Sequence, residues 1–544
     1  MRKFSVFLLF SLSLLSASLK CPSRKIVLYQ GQAVRLKFYP QGINPEEVKG
    51  LSFSYHLYDR KGKIFRYENP RFIFVVENKF LSVTVFFPVP PGEYQAEFEL
   101  LKEGKFWGRE RGWKPCRVFV RVKDLLSPDF QRDFSGKYLP LKEPLWNRFQ
   151  HLLRLTFANG EIRKGQALFG FSPGSNYPQL WIRDLATAMD YAKFHYPLSS
   201  LETMVELFLR FQHQDGEISD WISPDYRWGK NTVSSDQESS LVLAAYSVAR
   251  ENPRWLCKTL RGRRIIDRLA LALKWLWDNR RSRSFGLIWS GFKADWGDVS
   301  LEHPADPVHY REGDLRVVGI YTQAKFYQAL KAFLEMKKQC PPQVSFPAEA
   351  ISRRVKENSL KYLYLKDKGY FLIHRVLGHP EYLSLERNIL ATGGNAEAIL
   401  AGFLTPQQSI RFFRVLDKKL KEFSLRSPGF TLLPPYPPGF FKFHLMKPWH
   451  YQNGGDWDWI GGRVIRAMIR SGLKKEARLR LEYLAKRSLR DMCIYEWRDK
   501  EGRGRGAMFY TGAAGQLGKA LVSLYRSDLT GSVKFVRIRR KNKE

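Results

Sequence analysis

The stretch LETMVELFLRFQH, residues 201–213, repeats apolar side chains at three- and four-residue intervals, at Leu201, Val205, Phe208 and Phe211. This spacing places the four side chains on one face of an α-helix. The same periodicity recurs through the chain and predicts about twelve helices, near 143–157, 183–195, 199–213, 236–250, 264–280, 314–337, 347–365, 393–403, 406–421, 457–472, 474–489 and 511–525. Twelve helices joined by alternately short and long loops favour a mainly α fold, an (α/α)6 toroid of six helical hairpins.

The residues before this helical region follow a different pattern. Short runs such as 34–38, 51–55 and 81–85 alternate apolar and polar side chains and are broken by Pro-Gly and Lys-Gly turns. Alternation with period two is typical of strands with one buried face, and several such strands in about 100 residues favour a β-sandwich. We therefore predict a small N-terminal β-sandwich domain at 22–124, a linker at 125–142, the helical barrel at 143–530 and a basic tail at 531–544.

The first residues have the composition of an export signal. A charged start, Met1 to Lys3, precedes an apolar run from Phe4 to Leu15, and small residues follow at Ser16 and Ser18. This order predicts a signal peptide at 1–18 and a periplasmic or secreted protein. The apolar run is shorter than the roughly 20 residues of a spanning helix, so no stable membrane span is expected after signal cleavage.

The chain is strongly basic, with a formal net charge of +37 from 90 basic and 53 acidic residues. Such a charge favours acidic partners, either nucleic acid or an anionic polysaccharide. The basic residues are spread along the chain, and only the tail from Arg537 to Lys543 is dense. We therefore expect no nucleic-acid partner and retain an anionic polysaccharide as a candidate substrate.

Five cysteines are present, and none has the CxxC spacing of a metal site. We expect no metal and no cofactor. Cys21 and Cys116 bracket the N-terminal domain, and either a disulfide or two separate buried thiols would fit an exported domain.

Long loops lead into the helices that start near residues 183, 236, 314, 395, 458 and 511. These loops are rich in Trp, Tyr, Asp, Arg, Asn and Gly. Aromatic rings cover the apolar face of a sugar ring, while carboxylates, amides and guanidinium groups bind its hydroxyls. The loop ends at one barrel face are therefore predicted to form a sugar-binding site.

Two of these loops offer carboxylates that could bind sugar hydroxyls. In Trp181-Ile182-Arg183-Asp184 the arginine would hold Asp184 ionised and oriented, although Asp184 could equally cap a helix. Asp236, in Ser234-Ser235-Asp236-Gln237, carries the same two interpretations.

Two further carboxylates suit catalysis. In Asp295-Trp296-Gly297-Asp298 aromatic shielding would keep one carboxyl protonated as a general acid, unless the segment is a solvated acidic turn. Glu496 stands between Tyr495 and Trp497 and would activate water, unless it is a surface residue paired with Arg498. Hydrolysis of a glycosidic bond uses one protonated and one ionised carboxyl group.

The segment WHYQNGGDWDW, residues 449–459, is the remaining aromatic-rich loop. Gly454 and Gly455 allow a close backbone approach. Trp457 and Trp459 could floor a sugar subsite or simply pack at a helix start.

As an ordered set over residues 180–525, these motifs resemble those of the (α/α)6-barrel glycoside hydrolases. Trp181 to Asp184 resembles a motif of alkaline/neutral invertases and of the amylo-1,6-glucosidase domain of glycogen debranching enzymes. The 295–298 segment is similar to the acid motif of the debranching enzymes and to a motif of cellobiose phosphorylases, and 453–457 and 495–515 resemble later segments of these families. The resemblance implies a general acid at Asp298, a general base at Glu496 and a sugar contact at Asp184; the other expected substrate contacts are Trp181, Arg183, Asp236, Asp295, Trp296, Asn453, Trp457, Trp459 and Tyr510.

The motifs also depart from these families. Gly297 replaces a bulkier residue, so that Asp295 or Glu302 could be the acid instead of Asp298. We expect an exported hydrolase that inverts the anomeric carbon of an oligo- or polysaccharide, with the two carboxyl groups roughly 6.5–9.5 Å apart. The alternatives are a phosphorylase that binds phosphate through Arg498, Arg503 and Arg505, a polysaccharide lyase with a Tyr or His base, and a non-catalytic carbohydrate-binding envelope protein.

Overall fold

The computed structural model describes residues 136–230 and 233–528, together with 6–9, 26–39, 51–59, 64–67, 75–77, 80–86, 89–102, 105–106, 116–134 and 536–538. Most of the predicted signal peptide, Cys21 and most of the predicted basic tail lie outside these residues. Within them, no helix combines the length and the apolar character needed to cross a membrane.

Fourteen α-helices lie within the described residues. They are α1 Phe130–Asp133, α2 Pro144–Asn159, α3 Ile182–Ala192, α4 Leu198–Arg210, α5 Gln237–Ala249, α6 Ile265–Arg280, α7 Ile320–Gln339, α8 Ala348–Tyr362, α9 Leu383–Glu386, α10 Thr392–Ala401, α11 Pro406–Glu422, α12 Asp458–Arg470, α13 Lys474–Asp491 and α14 Thr511–Asp528. Two short 3-10 helices occupy Pro253–Cys257 and Pro380–Tyr382. Each of the twelve predicted helices has a counterpart, and most ends agree within about three residues.

Six of the helices contact one another in a closed ring, in the order α3, α5, α7, α10, α12 and α14, and α14 returns to α3. The helices that alternate with them in sequence pack outside, as α2 does on α14, α6 on α5 and α13 on α12. The sequences fit these positions. Helix α10 is built mostly of small and apolar residues and is buried on all sides from 392 to 399, whereas α13 is amphipathic and buries a single face.

The strands supplement this ring and form the N-terminal region. They are β1 Val6–Leu9, β2 Ile26–Tyr29, β3 Ala33–Tyr39, β4 Leu51–Asp59, β5 Ile64–Tyr67, β6 Val75–Glu77, β7 Phe80–Phe86, β8 Gly92–Lys102, β9 Lys105–Phe106, β10 Cys116–Lys123, β11 Gly136–Tyr138, β12 Glu161–Lys164, β13 Ala167–Phe171, β14 Leu180–Trp181, β15 Trp221–Ile222, β16 Trp228–Gly229, β17 Thr259–Leu260, β18 Arg263–Arg264, β19 Ser290–Gly291, β20 Arg316–Gly319, β21 Tyr364–Leu365, β22 Tyr370–Phe371, β23 His374–Val376, β24 Leu390–Ala391, β25 Leu432–Leu433, β26 Tyr495–Arg498, β27 Gly504–Met508 and β28 Val536–Ile538.

The largest difference from the sequence prediction is at the start of α7, which was placed at residue 314. Arg316–Gly319 instead forms β20, which pairs with β19 and β23. The apolar residues Leu315, Val317 and Val318 fit a helical pattern as well as a strand, and the sheet partners that decide between the two are distant in sequence.

The N-terminal region contains two sheets within the described residues. One has the strand order β1-β3-β7-β6, and the other has the order β2-β10-β8-β4-β5, with β9 paired to β8. In β8, Tyr94, Ala96 and Phe98 are buried whereas Gln95 is exposed, as period-two alternation predicts. That the two sheets face each other as a sandwich stays a prediction, as do the domain limits.

The predicted linker at 125–142 contains α1 and β11 and packs between the two parts of the chain. Its buried residues Phe130, Phe134 and Tyr138 share an apolar cluster with Tyr29 of β2 and with Met492 of the barrel. The Tyr29 hydroxyl donates a hydrogen bond of 2.7 Å to Asp133, and β11 pairs with β28, within the predicted basic tail. These contacts fix the N-terminal region on the helical barrel.

A disulfide joins Cys257, after α5, to Cys340, after α7, across 83 residues of sequence. Neither cysteine was assigned a partner from the sequence, because spacing alone does not determine disulfide connectivity. The predicted alternatives for Cys21 and Cys116 cannot be compared with the structure because Cys21 lies outside the described residues.

Candidate active site

The start of α3 places Arg183 between two carboxylates. Its guanidinium group donates to both oxygens of Asp236, at 2.8 and 3.0 Å, and to the Ser234 hydroxyl at 2.8 Å. Its Nη1 lies 3.5 Å from Oδ2 of Asp298. Arg183 therefore connects the loop before α5 to the loop that carries Asp298.

Asp236 is fully buried, and both of its oxygens accept hydrogen bonds from Arg183. Burial would raise the pKa of Asp236, but the nearby cations, Arg183 first, hold it below the usual value. This arrangement corrects the predicted sugar contact, because the carboxylate orients Arg183 and has no exposed atom for a hydroxyl.

Asp298 is held by a side chain that the sequence reasoning missed. The amide of Gln452 donates to Oδ1 of Asp298 at 2.7 Å and accepts from its backbone N–H at 3.1 Å. The side chain of Asp298 remains 22% exposed. The Asp298 carboxyl group is thus held by Gln452 and Arg183 and remains partly exposed to solvent.

Glu496 lies on the hairpin of β26 and β27, at a break in its register. Tyr495 pairs with Met508 and Trp497 pairs with Arg505, so one residue of β26 opposes two residues of β27. Gly506, at the break, has φ +70°, and a Cβ there would lie 2.3 Å from Oε2 of Glu496. Such a bulge redirects a side chain, and here it lets the carboxylate lie against the backbone of the opposing strand.

Both oxygens of Glu496 accept hydrogen bonds. Tyr177 donates its hydroxyl to Oε1 at 3.0 Å, and Ala507 donates its backbone N–H to Oε2 at 2.8 Å. Glu496 is 5% exposed. Burial raises its pKa to about 7, the two hydrogen bonds partly oppose this, and the charges of Asp184 and Asp298 raise the pKa further. The alternative pairing with Arg498 is wrong, because that arginine binds Asp491 at 2.5 Å.

Asp184 lies in the first turn of α3, next to Arg183 in sequence, and is buried. Burial raises the pKa of its carboxyl to about 6, while Arg183 and a hydrogen bond from Tyr510 oppose the rise. Its Oδ1 atom has no hydrogen-bond partner among the described residues. Asp184 and Tyr510 therefore remain suited to contact a sugar hydroxyl.

Two tyrosines that the sequence reasoning missed lie within electrostatic reach of both candidate catalytic groups. Burial raises the pKa of Tyr177 and of Tyr451 well above the usual value, and the charges of Glu496 and Asp298 raise both further. Asp298 and Glu496 therefore lie near the same two tyrosine hydroxyls, one of which donates to Glu496. The sequence offers 449–459 either as a sugar subsite or as packing at a helix start, and it does not single out the residues at 451 and 452.

The other two candidates for the acid lie in different settings. Asp295 has φ +52° and is 4% exposed, and its Oδ2 accepts the N–H of Gly394 at 2.8 Å, at the start of α10. Glu302 is exposed and lies beside Tyr310 and Asp314. Asp295 thus holds the start of α10, while its Oδ1 has no hydrogen-bond partner among the described residues, and its role as a sugar contact stays a prediction.

The predicted tryptophan contacts divide into two groups. Trp296, Trp457 and Trp459 are each 1–2% exposed, and Trp296 packs edge-on against both partners, with ring centroids 4.6 and 4.4 Å apart. These three rings form a core cluster with no free face for a sugar, which corrects their assignment. Trp181, in contrast, is only partly buried, and its ring lies 6.3 Å from that of Tyr177.

Asn453 is also structural. Its Oδ1 accepts from the backbone N–H of Tyr436 at 2.8 Å, and its Nδ2 donates to the carbonyls of Tyr436 and Met446 at 3.2 and 2.9 Å. The side chain is fully buried. It therefore holds together the loop that carries Gln452, and its prediction as a substrate contact is corrected.

Lys293 is a further buried charge that the sequence reasoning missed. It is 1% exposed, and its ammonium group has no hydrogen-bond partner among the described residues. Burial lowers its pKa to about 8, while the charges of Asp236, Asp295 and Asp298 oppose this. Lys293 thus contributes positive charge behind the carboxylates.

Comparisons of sequence leave the chain unassigned. No protein-family model matches it, and no curated protein matches it at a significant level.

Solved structures with the same fold do exist. The GH63 mannosylglycerate hydrolase from Thermus thermophilus, in complex with Tris and D-glycerate, matches with a TM-score of 0.51 and 14% identity over 70% of this chain and 100% of that one. A rhamnosidase from Klebsiella oxytoca with rhamnose bound matches with a TM-score of 0.51 and 12% identity over 90% of this chain and 87% of that one. The resemblance to six-hairpin glycosidases is thereby confirmed at the level of fold.

Proposed function

We propose that the protein is an exported glycoside hydrolase, an (α/α)6 toroid preceded by a β-sandwich domain, that inverts the anomeric carbon of its substrate. The observation that carries the proposal is the proximity of Asp298 and Glu496: Tyr177 donates its hydroxyl to Glu496 at 3.0 Å, Gln452, next to Tyr451, donates to Asp298 at 2.7 Å, and the charges of both carboxyl groups act on Tyr177 and Tyr451. A pair of carboxyl groups facing one pocket is what glycoside hydrolysis requires. The fold shared with a mannosylglycerate hydrolase and a rhamnosidase supports the same reaction class.

In the proposed reaction Asp298 donates its proton to the glycosidic oxygen as the bond from that oxygen to the anomeric carbon breaks. Glu496 removes a proton from a water molecule, whose oxygen bonds to the anomeric carbon from the opposite face of the ring. The leaving sugar departs as an alcohol and the product has inverted configuration. For the water to fit, the carboxyl groups would lie roughly 6.5–9.5 Å apart in the complex.

The hydrogen bonds of Glu496 support its role as the base. Both of its oxygens accept a hydrogen bond, which suits the ionised form. The raised pKa of about 7 favours the opposite assignment, with Glu496 as proton donor. The two assignments predict opposite pH dependences of activity. A base must lose its proton before it acts, so activity would fall at low pH; an acid must keep its proton, so activity would fall at high pH.

The rival phosphorylase and lyase have weaker support. Arg503 and Arg505 bind Asp499 at 2.8 and 2.9 Å, and Arg498 binds Asp491, so the arginines considered for phosphate are engaged with carboxylates. A lyase would need a tyrosine or histidine base, and the raised pKa values of Tyr177 and Tyr451 oppose that role.

The pocket also bears on the charge of the substrate. The ionised Glu496, and Asp184 in its ionised form, would repel an anionic reacting sugar, and Arg183 is already bound to Asp236. We therefore propose that the reacting sugar is uncharged. Any acidic units that the basic surface attracts would lie outside this pocket.

Export rests on the N-terminal sequence pattern and gains support from the disulfide of Cys257 and Cys340, since disulfides persist in oxidising compartments. The N-terminal domain is proposed to support the barrel, because the contacts of Tyr29 and of the segment after β10 join the two parts.

A screen of the purified protein against aryl glycosides, followed by NMR of the first-formed anomer, tests the proposal. We expect hydrolysis of one glycoside class without added phosphate and with inverted configuration. Retention of configuration, a phosphate requirement, or unsaturated products that absorb in the ultraviolet would each contradict it.

A further inference from the structure

The small sheet of β14, β15 and β16 lies next to the candidate active site and presents two tryptophans on one face. Its register pairs Trp181 with Trp221, and Trp221 with Gly229. Residues directly opposite one another in an antiparallel sheet share a face. Trp228 pairs with Ile222 and therefore belongs to the opposite face.

The indole of Trp221 lies over Gly229. A Cβ at residue 229 would come within 2.7 Å of Cε2 and Cζ2 of that indole, so only glycine accommodates the ring at this distance. One ring face is thus seated on the backbone, and the side chain as a whole remains partly exposed. Such a seated ring offers its other face at little cost in side-chain entropy.

This sheet is continuous with the pocket. The ring centroid of Trp221 lies 6.4 Å from that of Trp181, which lies 6.3 Å from that of Tyr177, the donor to Glu496. Backbone hydrogen bonds from Ile182 to Asp220 at 2.9 Å and from Asp220 to Gly229 at 2.7 Å fix the sheet to the start of α3. Two aromatic rings, those of Trp181 and Tyr177, therefore separate Trp221 from Glu496.

We propose that Trp221 is the stacking platform for the sugar unit next to the one that reacts, so that the natural substrate has at least two sugar units. The inference rests on the proposed glycosidase function and deepens it. An aromatic face complements the C–H face of a pyranose ring, and the distance of Trp221 from Glu496 through two intervening rings places it beyond the reacting unit.

The aryl-glycoside screen identifies the sugar that reacts. A glycosyl fluoride and a disaccharide of that sugar then distinguish binding of the second sugar unit from the chemical step. The glycosyl fluoride fills only the reacting subsite, whereas the disaccharide extends beyond it. For Trp221→Ala we expect kcat/KM to fall about tenfold or more on the disaccharide and to stay within about twofold on the fluoride. Trp221→Tyr should restore most of the loss, and Gly229→Ala should reproduce it by displacing the indole.

Trp228→Ala is the matched control, because this tryptophan is 45% exposed on the opposite face of the same sheet. Its kcat/KM should equal that of the wild type on both substrates. Equal losses on both substrates, or no loss on the disaccharide for Trp221→Ala and Gly229→Ala, would overturn the platform. A wild-type protein that hydrolyses neither substrate would overturn the proposed function, and the inference with it.

Discussion

Glu496 and Asp499 lie three residues apart on one hairpin and both are at most 5% exposed, but their neighbours differ. Asp499 accepts hydrogen bonds from the guanidinium groups of Arg503 and Arg505, which hold its pKa below the usual value although burial would raise it. Glu496 accepts hydrogen bonds from a tyrosine hydroxyl and a backbone N–H and lies near the carboxylates of Asp184 and Asp298; burial and these charges raise its pKa to about 7. A buried carboxyl group without a neighbouring cation can exchange a proton near neutral pH. A buried carboxylate bound to two arginines stays ionised and holds the loop of the hairpin together.

Replacement of each carboxylate by its amide should give the largest difference in activity between the two positions. Glu496→Gln keeps the size of the side chain but cannot accept a proton from water, so kcat should fall by about 10³-fold or more. Asp499→Asn leaves the pocket in place and should keep kcat within about tenfold, as measured on the same aryl glycoside. Comparable losses in the two variants would contradict the assignment of Glu496.

The acid is tested by three matched variants. Asp298→Asn should lower kcat by about 10²- to 10³-fold, less than the Glu496 variant, because an aryl leaving group needs little protonation. Asp295→Asn retains an oxygen for the Gly394 N–H and should stay within about tenfold, and Glu302→Gln should have no effect. A larger loss in Asp295→Asn than in Asp298→Asn would move the acid to Asp295.

The bulge that directs Glu496 can be broken without touching the carboxylate. Gly506→Ala adds a Cβ against Oε2 and should lower kcat by about 10- to 100-fold. Gly502, on the same hairpin, has φ +81°, and an added Cβ there would have no neighbour within 4 Å. Gly502→Ala therefore introduces backbone strain without a contact to Glu496. Equal loss of activity in both variants would show that strain, and not the position of Glu496, matters.

These positions also show what the sequence could and could not reveal. The helices were predictable because each repeats its apolar residues over ten or more positions. Composition and order also single out the loops with Arg183, Asp184, Asp298 and Glu496 as candidates for the site. Which residues reach the pocket was not predictable. Asp295 and Asp298 read alike in sequence, yet one contacts the N-terminus of α10 and the other contacts Gln452, and both contacts join segments about 100 residues or more apart.

The two carboxylates should contribute opposite pH dependences to the free energy of unfolding. Because the folded pKa of Asp499 is below its unfolded value of 3.8, its stabilisation is present above that value and is lost as pH falls through the folded pKa. Asp499→Asn should therefore lower the free energy of unfolding at pH 7 by about 1–3 kcal/mol in denaturant titrations. An unchanged free energy would contradict its role as an anchor.

The effect of Glu496 on the free energy of unfolding should be smaller than that of Asp499 and should change with pH in the opposite direction. Its folded pKa of about 7 exceeds its unfolded value of 4.5, so the folded state binds more protons between these values and loses stability as pH rises through this window. Glu496→Gln should thus be more stable relative to wild type at pH 8 than at pH 5. The opposite trend would show that its carboxyl is stabilised as an anion.

The dependence of kcat/KM on pH distinguishes Glu496 as base from Glu496 as acid, since this ratio reports ionisations of the free enzyme. If Glu496 is the water-activating base, kcat/KM should decline as pH falls below about 7, where the carboxylate takes up a proton. A decline as pH rises through about 7, with full activity retained on the acidic side, would show that Glu496 donates the proton and is not the base.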